Sequence, residues 1–270
     1  MKTMMKKLLA GAAVAASLFS LSAPASATLT NWYLDTDGVG GNAPVLVQDY
    51  LDLVGTAYVH NTIVSGNFTT PGSTFTFNEV GNFGVSTHDG IFPPAFNPGL
   101  SANFIGSGSG SVGGPLGFNP GGSLTVFSGT TNIGTFTLEA GSAVLLANSV
   151  LPNGTVSFIF KATNLAAGYF FDSAMNDLSL VANSPTGLLL GFATTNVILG
   201  NTTNVNSTLV GEYNTAFGTS FGTVAANNTT DLNLSNNGQF RLAVPEPSML
   251  SLFGLALLGL GFMTRRKFKS

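Results

Sequence analysis

Apolar residues recur at every second position along the middle of this chain. In Thr155-Val156-Ser157-Phe158-Ile159-Phe160, the side chains of Val156, Phe158 and Phe160 fall on one side. Thr74-Phe75-Thr76-Phe77, Ser123-Leu124-Thr125-Val126 and Thr135-Phe136-Thr137-Leu138 repeat the pattern with Thr or Ser between. Successive side chains of a strand point to opposite faces, whereas a helix needs apolar residues three and four apart. The spacing therefore predicts half-buried strands, and Thr and Phe are residues that suit a pleated surface. Further strands are expected at residues 32–34, 45–47, 168–171, 188–192, 196–199 and 239–243, with hairpin turns at Asn153-Gly154 and Asn237-Gly238. No segment between 28 and 244 offers three turns of amphipathic helix; 48–58 comes nearest and reads equally as strand. Many short strands with Gly and Asn turns predict an all-β fold, an antiparallel β-sandwich of jelly-roll-like form.

Residues 91–122 interrupt the alternation with Pro93, Pro94, Pro98, Pro115, Pro120 and the run Gly106-Ser107-Gly108-Ser109-Gly110. This stretch is expected to be a long Gly/Pro-rich surface loop within one domain spanning 28–243. Read as a linker, it would leave a first piece of about 60 residues with no disulfide, too small to be comfortable alone.

Charge is distributed unevenly. The chain has nine Lys and Arg, but only Lys161 and Arg241 lie between Thr28 and Val244, where eleven of the twelve acids are found. The middle of the chain thus carries a net charge of about −9, which repels phosphate backbones and argues against nucleic acid as a partner. Cysteine is absent, which excludes a Cys nucleophile and a Cys/His structural zinc.

The other basic residues sit at the two ends. Lys2, Lys6 and Lys7 precede an apolar stretch, 8–21, and the small-residue pattern Ala25-Ser26-Ala27 follows. This is the pattern of a secretory signal peptide, 1–27, with cleavage expected after Ala27. At the other end, Pro245-Glu246-Pro247 precedes an apolar run from Met249 to Met263 and a basic cluster, Arg265, Arg266, Lys267 and Lys269. Seventeen residues, 248–264, make about 25 Å of helix against a hydrocarbon core of about 30 Å. The run is short for a permanent anchor, and its basic end is expected to remain cytoplasmic.

Val244-Pro245-Glu246-Pro247, the short apolar run and the Arg-rich end resemble the PEP-CTERM sorting signal of Gram-negative bacteria. That resemblance implies a transmembrane sorting helix in 244–270 and cutting by the membrane protease-transpeptidase exosortase at or near Pro245, Glu246 and Pro247. It also implies an inner-membrane-anchored precursor, then delivery to the cell surface or extracellular matrix. Residues 31–38 (Asn-Trp-Tyr-Leu-Asp-Thr-Asp-Gly), 75–81 (Phe-Thr-Phe-Asn-Glu-Val-Gly) and 168–172 (Gly-Tyr-Phe-Phe-Asp) are similar to the flocculation-associated PEP-CTERM proteins of floc-forming bacteria. This second resemblance implies a non-enzymatic surface protein that works with exopolysaccharide or another surface glycan in flocculation or biofilm formation.

The candidate chemistry is sparse. Asp35-Thr36-Asp37-Gly38 has the spacing that opens calcium loops, where alternate carboxylates converge on one hard cation, and Asp49 and Asp52 are further candidates. A polar turn accounts for the same residues. The twelfth position of an EF-hand loop would be Leu46, so that motif fails. His88-Asp89 could be base and orienter of a Ser triad, but no G-x-S-x-G elbow accompanies them. Glu79 and Glu139 are the carboxylate pair that a glycan-active enzyme would need, a rival reading to the non-enzymatic one. Trp32 and the tyrosines could form a sugar-stacking platform, although alternating aromatics more commonly form core. A third reading is a self-assembling, amyloid-like matrix protein, since low-charge strands are prone to edge pairing.

Overall fold

The computed structural model describes residues 26–38, 41–92, 96–145, 153–182 and 187–245. Strands β1 (Ser26–Thr28), β2 (Trp32–Leu34) and β3 (Val45–Val47) are followed by the long β4 (Leu51–Ser65), β5 (Thr74–His88) and β6 (Leu100–Ser111). Next come β7 (Leu116–Phe118), β8 (Ser123–Ser128), β9 (Thr131–Leu145), β10 (Asn153–Leu165) and β11 (Phe170–Phe171). The short helix α1 (Ser179–Ala182), β12 (Leu189–Leu199), helix α2 (Ser207–Phe217) and β13 (Asp231–Pro245) complete the order. The fold is all-β and antiparallel, as the alternation predicts.

The chain divides into two compact units. One, Met1–Ala27 with Pro245–Ser270, lies almost wholly outside the described residues. The other, Thr28–Val244, contains every residue of the two apolar clusters described below and so has its own core.

Within this unit the strands run as a meander. β4, β5, β6, β7 with β8, β9, β10, β12 and β13 are neighbours in that order, and β13 pairs β4, which closes a ring of eight positions. β7 and β8 share the same two neighbours, β6 and β9, and act as one broken strand. Opposite walls of the ring pack across a single core like the layers of a sandwich. Phe83 on β5 meets Phe192 on β12 (5.8 Å between centroids), and Phe104 on β6 meets Phe158 on β10 (5.0 Å). The small sheet β11-β2-β3 brings Trp32, Leu34 and Phe170 into the same core, against the end of the ring formed by Leu51, Leu100, Val126 and Phe240.

Three expectations fail here, and two share one physical cause. Residues 91–122 are not a long loop: 100–111 form β6 and 116–118 form β7. Gly106 and Gly108 are inward positions, and a neighbouring Phe ring fills the space above each, from Phe104 and Phe77 respectively. The missing side chains are replaced by aromatic surface from a neighbour, so glycine here belongs to a strand. The hairpin turn expected at Asn237-Gly238 is also strand interior, within β13, and a Cβ on Gly238 would come 2.8 Å from the Phe192 ring; Asn153-Gly154 are the first two residues of β10.

The third failure is a helix. α2 spans eleven residues, capped by Asn206, whose side chain accepts from Thr208 N–H (2.8 Å), and closed by Gly218 in the left-handed region at φ 65°. Leu209, Val210 and Tyr213 are buried, and with Tyr58, Val80 and Val205 they form a second apolar cluster on the outer face of β4 and β5. Two side-chain bonds fix it there: Asn82 Nδ2 donates to Glu212 Oε1 (3.1 Å) and Asn78 Nδ2 to the Tyr213 hydroxyl (3.3 Å). Of residues 48–58, 51–58 lie in β4 and 48–50 lead into it, so their helical alternative is not adopted.

Candidate functional site

Asp35 and Asp37 follow β2 in a tight polar turn. Asp35 Oδ1 accepts from the N–H groups of Asp37 (3.3 Å) and Gly38 (3.0 Å). Asp37 accepts from the Asn42 backbone N–H (2.9 and 3.1 Å to its two oxygens) and from Asn42 Nδ2 (2.6 Å). Burial raises the pKa of Asp35, and the Asn42 N–H lowers that of Asp37. The turn lines an open cleft of about 270 Å³ with Asn97 and Ala43. Asp49 and Asp52 do not join it. Asp49 pairs with Arg241 (3.1 Å), whose guanidinium also lies over the Tyr50 ring, and Asp52 accepts from Thr87. Among the described residues no group of three or more His, Asp or Glu side chains is placed to hold a metal ion.

The triad candidates separate in the structure. His88 is buried against Phe96, and its Nδ1 has no partner. The Asp89 carboxylate instead accepts three backbone N–H groups, from Gln48 (2.6 Å), Asp49 (2.8 Å) and Tyr50 (3.0 Å). It is a bracket that ties the start of β4 to the end of β5. Asp89→Ala is expected to lower the unfolding free energy by about 2 kcal/mol, read by urea denaturation, since charge-assisted bonds to otherwise unpaired N–H groups are lost. Asp89→Asn should retain part of this, because Asn tolerates the positive φ of 49° found there.

The two glutamates are also apart. Glu79 points into the ring, whereas Glu139 is exposed on the outer surface of β9 beside the inward, fully buried Leu138. They do not share a cleft. Burial pushes the Glu79 carboxyl up to about 8. Trp32 is fully buried and stacked on Phe170 at 6.3 Å, so it is core and not a sugar platform.

One cluster was not legible in the sequence. His60 Nδ1 and the Tyr58 hydroxyl both reach Asp231 Oδ1, at 2.8 and 2.7 Å, under the rings of Tyr213 and Phe221. Burial first and the Asp231 bond second raise the Tyr58 pKa. Asp231 lies 171 residues from His60, and no local spacing signals the pair. The strand pairing Asp231↔His60 creates it.

The C-terminal candidates begin where the compact unit ends. Pro245 is the last residue of β13. Glu246, Pro247, the apolar run 249–263 and the basic residues Arg265, Arg266 and Lys267 lie outside the described residues, as does the signal peptide up to Ala25. Ala27, the expected cleavage position, is exposed in β1. No helix among the described residues is long and apolar enough to cross a membrane.

Residues 243–267 match the family model of the PEP-CTERM protein-sorting motif. No curated protein and no solved structure matches the chain. A motif of this kind implies an exported protein, associated with the membrane until an exosortase processes it.

Proposed function

On the premise that this chain is a PEP-CTERM sorting-signal protein, we propose that it is a non-enzymatic component of the cell surface or extracellular matrix of a Gram-negative bacterium. It promotes flocculation or biofilm formation together with exopolysaccharide. The supporting observation is the position of the motif. The compact unit ends at Val244, and Pro-Glu-Pro follows at 245–247, so a cut there releases a domain whose core is complete. The domain is acidic and its outward strand positions are largely Thr, Ser and Asn, including Ser101, Asn103, Thr135, Thr137 and Thr155. Hydroxyl and amide groups spread over such walls suit many weak hydrogen bonds to a hydrated glycan, where affinity comes from number and not from one deep contact.

The two rival readings draw less support. A glycan-cleaving pair would need Glu79 and Glu139 in one cleft. Assembly through edge strands would need long free edges, and the eight ring positions have none, because β13 pairs β4.

The processing claim is tested by mass spectrometry on protein expressed with and without an exosortase. The expected mature form lacks Arg265, Arg266 and Lys267 only when the exosortase is present; retention of these residues in both would overturn it. For the surface role, deleting the gene should disperse flocs and re-expression should restore them. Unchanged flocs would remove that reading.

A further inference from the structure

The ring is filled unevenly. Toward the end closed by β2, β3 and β11, the rings of Phe83, Phe104, Phe158, Phe160 and Phe192 leave almost no space, about 10 Å³. Toward the other end, the inward side chains include Gly154 and Ala143, and a cavity of about 140 Å³ remains. Its wall is apolar, with Phe77, Phe118, Val156, Val197, Leu232 and Leu234 prominent. Val156, Leu232 and Leu234 are half-exposed, whereas Phe77 and Val197 are buried, so the cavity reaches solvent on the former side. An eight-stranded closed sheet has an interior wide enough either to be packed by side chains or to hold one small ligand, and this ring does each at a different end.

Two acceptors line the cavity without partners. Glu79 is 7 % exposed, and its carboxyl makes no hydrogen bond or ion pair with any described residue. Asn236 is 5 % exposed, and its Oδ1 is buried with no partner. Asn61, the other polar side chain deep in the wall, is already engaged through Nδ2 to the Thr229 carbonyl (3.2 Å). A buried carboxyl left unpaired in an apolar wall is costly, and such a group calls for an explanation. Among the described residues no Lys, Arg or His lines the cavity, so nothing in the wall supplies a cation that would let Glu79 ionise.

We propose that this cavity is a binding site for a small amine carried on an apolar body, about the size of one aromatic ring or a short alkyl chain, with its ammonium donating to Glu79. The volume fits: a 150 Å³ apolar cavity accommodates benzene. The head group fits as well. An ammonium brings donors and the charge that lets Glu79 ionise inside the wall, whereas a hydrocarbon leaves the carboxyl unpaired. Sugars are a poor match, because hydroxyls set against Phe77, Phe118 and Leu232 would lose their hydrogen bonds to water. The site is independent of the glycan role proposed above, which concerns the outer walls.

The test is calorimetric or NMR titration of the Thr28–Val244 domain, which has its own core, with benzylamine, benzyl alcohol and toluene at pH 6, 7 and 8. Benzylamine should bind at least tenfold more tightly than toluene at pH 8, with benzyl alcohol between. The bound state holds Glu79 ionised against a protonated amine. The burial-raised carboxyl, at about 8, must therefore release its proton on binding, and affinity should rise about tenfold per pH unit up to that value. Among the described residues no other titratable side chain lines the cavity; His60 and Asp231 pair on the outer face of β4 and β13, and β6 presents none. Glu79→Gln should cost benzylamine at least tenfold and flatten its pH profile while leaving toluene unchanged. Leu116→Trp, at the half-exposed mouth, should weaken all three probes in a domain whose melting curve shows it to be folded. Equal binding of benzylamine and toluene, benzylamine binding unaffected by either substitution, or no binding of any probe would each overturn the proposal.

Discussion

Glu79→Gln is expected to remove the steepest pH dependence from the stability of the Thr28–Val244 domain. The ordinary carboxyl value is 4.5, and burial in the folded ring raises it to about 8. Below 4.5 the group is protonated in both folded and unfolded chains, and it carries no penalty. Between 4.5 and 8 the unfolded chain ionises while the folded one holds its proton, so the unfolded state is favoured progressively. The wild-type domain should lose about 1.4 kcal/mol per pH unit, about 5 kcal/mol in all by pH 8, and then level off. A loss of that order is a large part of the total stability of a typical domain, about 5–15 kcal/mol. Glutamine has nearly the same shape and no proton to release, so the variant should be the more stable protein at pH 8 and close to wild type at pH 4.5. Urea midpoints at pH 4.5, 6 and 8 measure the difference. Parallel curves for the two proteins would mean that Glu79 finds a partner in solution and is not a lone buried acid.

The second large effect concerns glycine inside strands. A Cβ on Gly108 would overlap both the Phe77 ring and the Gly117 carbonyl oxygen on the neighbouring strand. A ring can turn, but a backbone carbonyl engaged in a ladder cannot. Gly108→Ala is therefore expected to destabilise by about 3 kcal/mol, the upper part of the range for an overfilled core. Gly141 makes the control. Its Cβ would meet only side chains, the Phe158 ring at 2.6 Å and the Phe118 Cβ at 3.0 Å. Shrinking Phe158 to leucine should recover part of the damage in Gly141→Ala, whereas Phe77→Leu should recover little in Gly108→Ala. A double-mutant cycle in denaturant separates the two cases.

These glycines also explain why part of the fold was legible in sequence and part was not. Where Thr alternates with Phe, Val or Leu, as at 155–160, 74–77, 123–126 and 135–138, the strands lie in β10, β5, β8 and β9. The periodicity is carried by the residues themselves. At Gly106, Gly108 and Gly238 the inward surface comes from a phenylalanine on another strand or two residues away, so local pattern reads as loop or turn. Helix α2 did carry local signals: the Asn206 cap, Gly218 at the far end, and apolar residues at 209, 210, 213 and 217. They were outweighed by the Thr, Ser and Asn around them. The sorting motif was legible because its order along the chain is its meaning. The cavity was not, because Glu79, Asn236 and Val156 come together only through pairing between distant strands.

The course of β13 sets the cavity apart from the place where the chain enters and leaves the domain. Leu234, near its start, lines the cavity, while Val244, near its end, is the point at which the compact unit stops. Ten residues of extended chain separate them, about 30 Å. At that same far end Leu29 N–H donates to the Leu242 carbonyl (2.8 Å), so the chain enters and leaves the domain side by side. The cavity therefore lies toward the opposite end of the domain from the neighbouring strands by which the chain enters and leaves it.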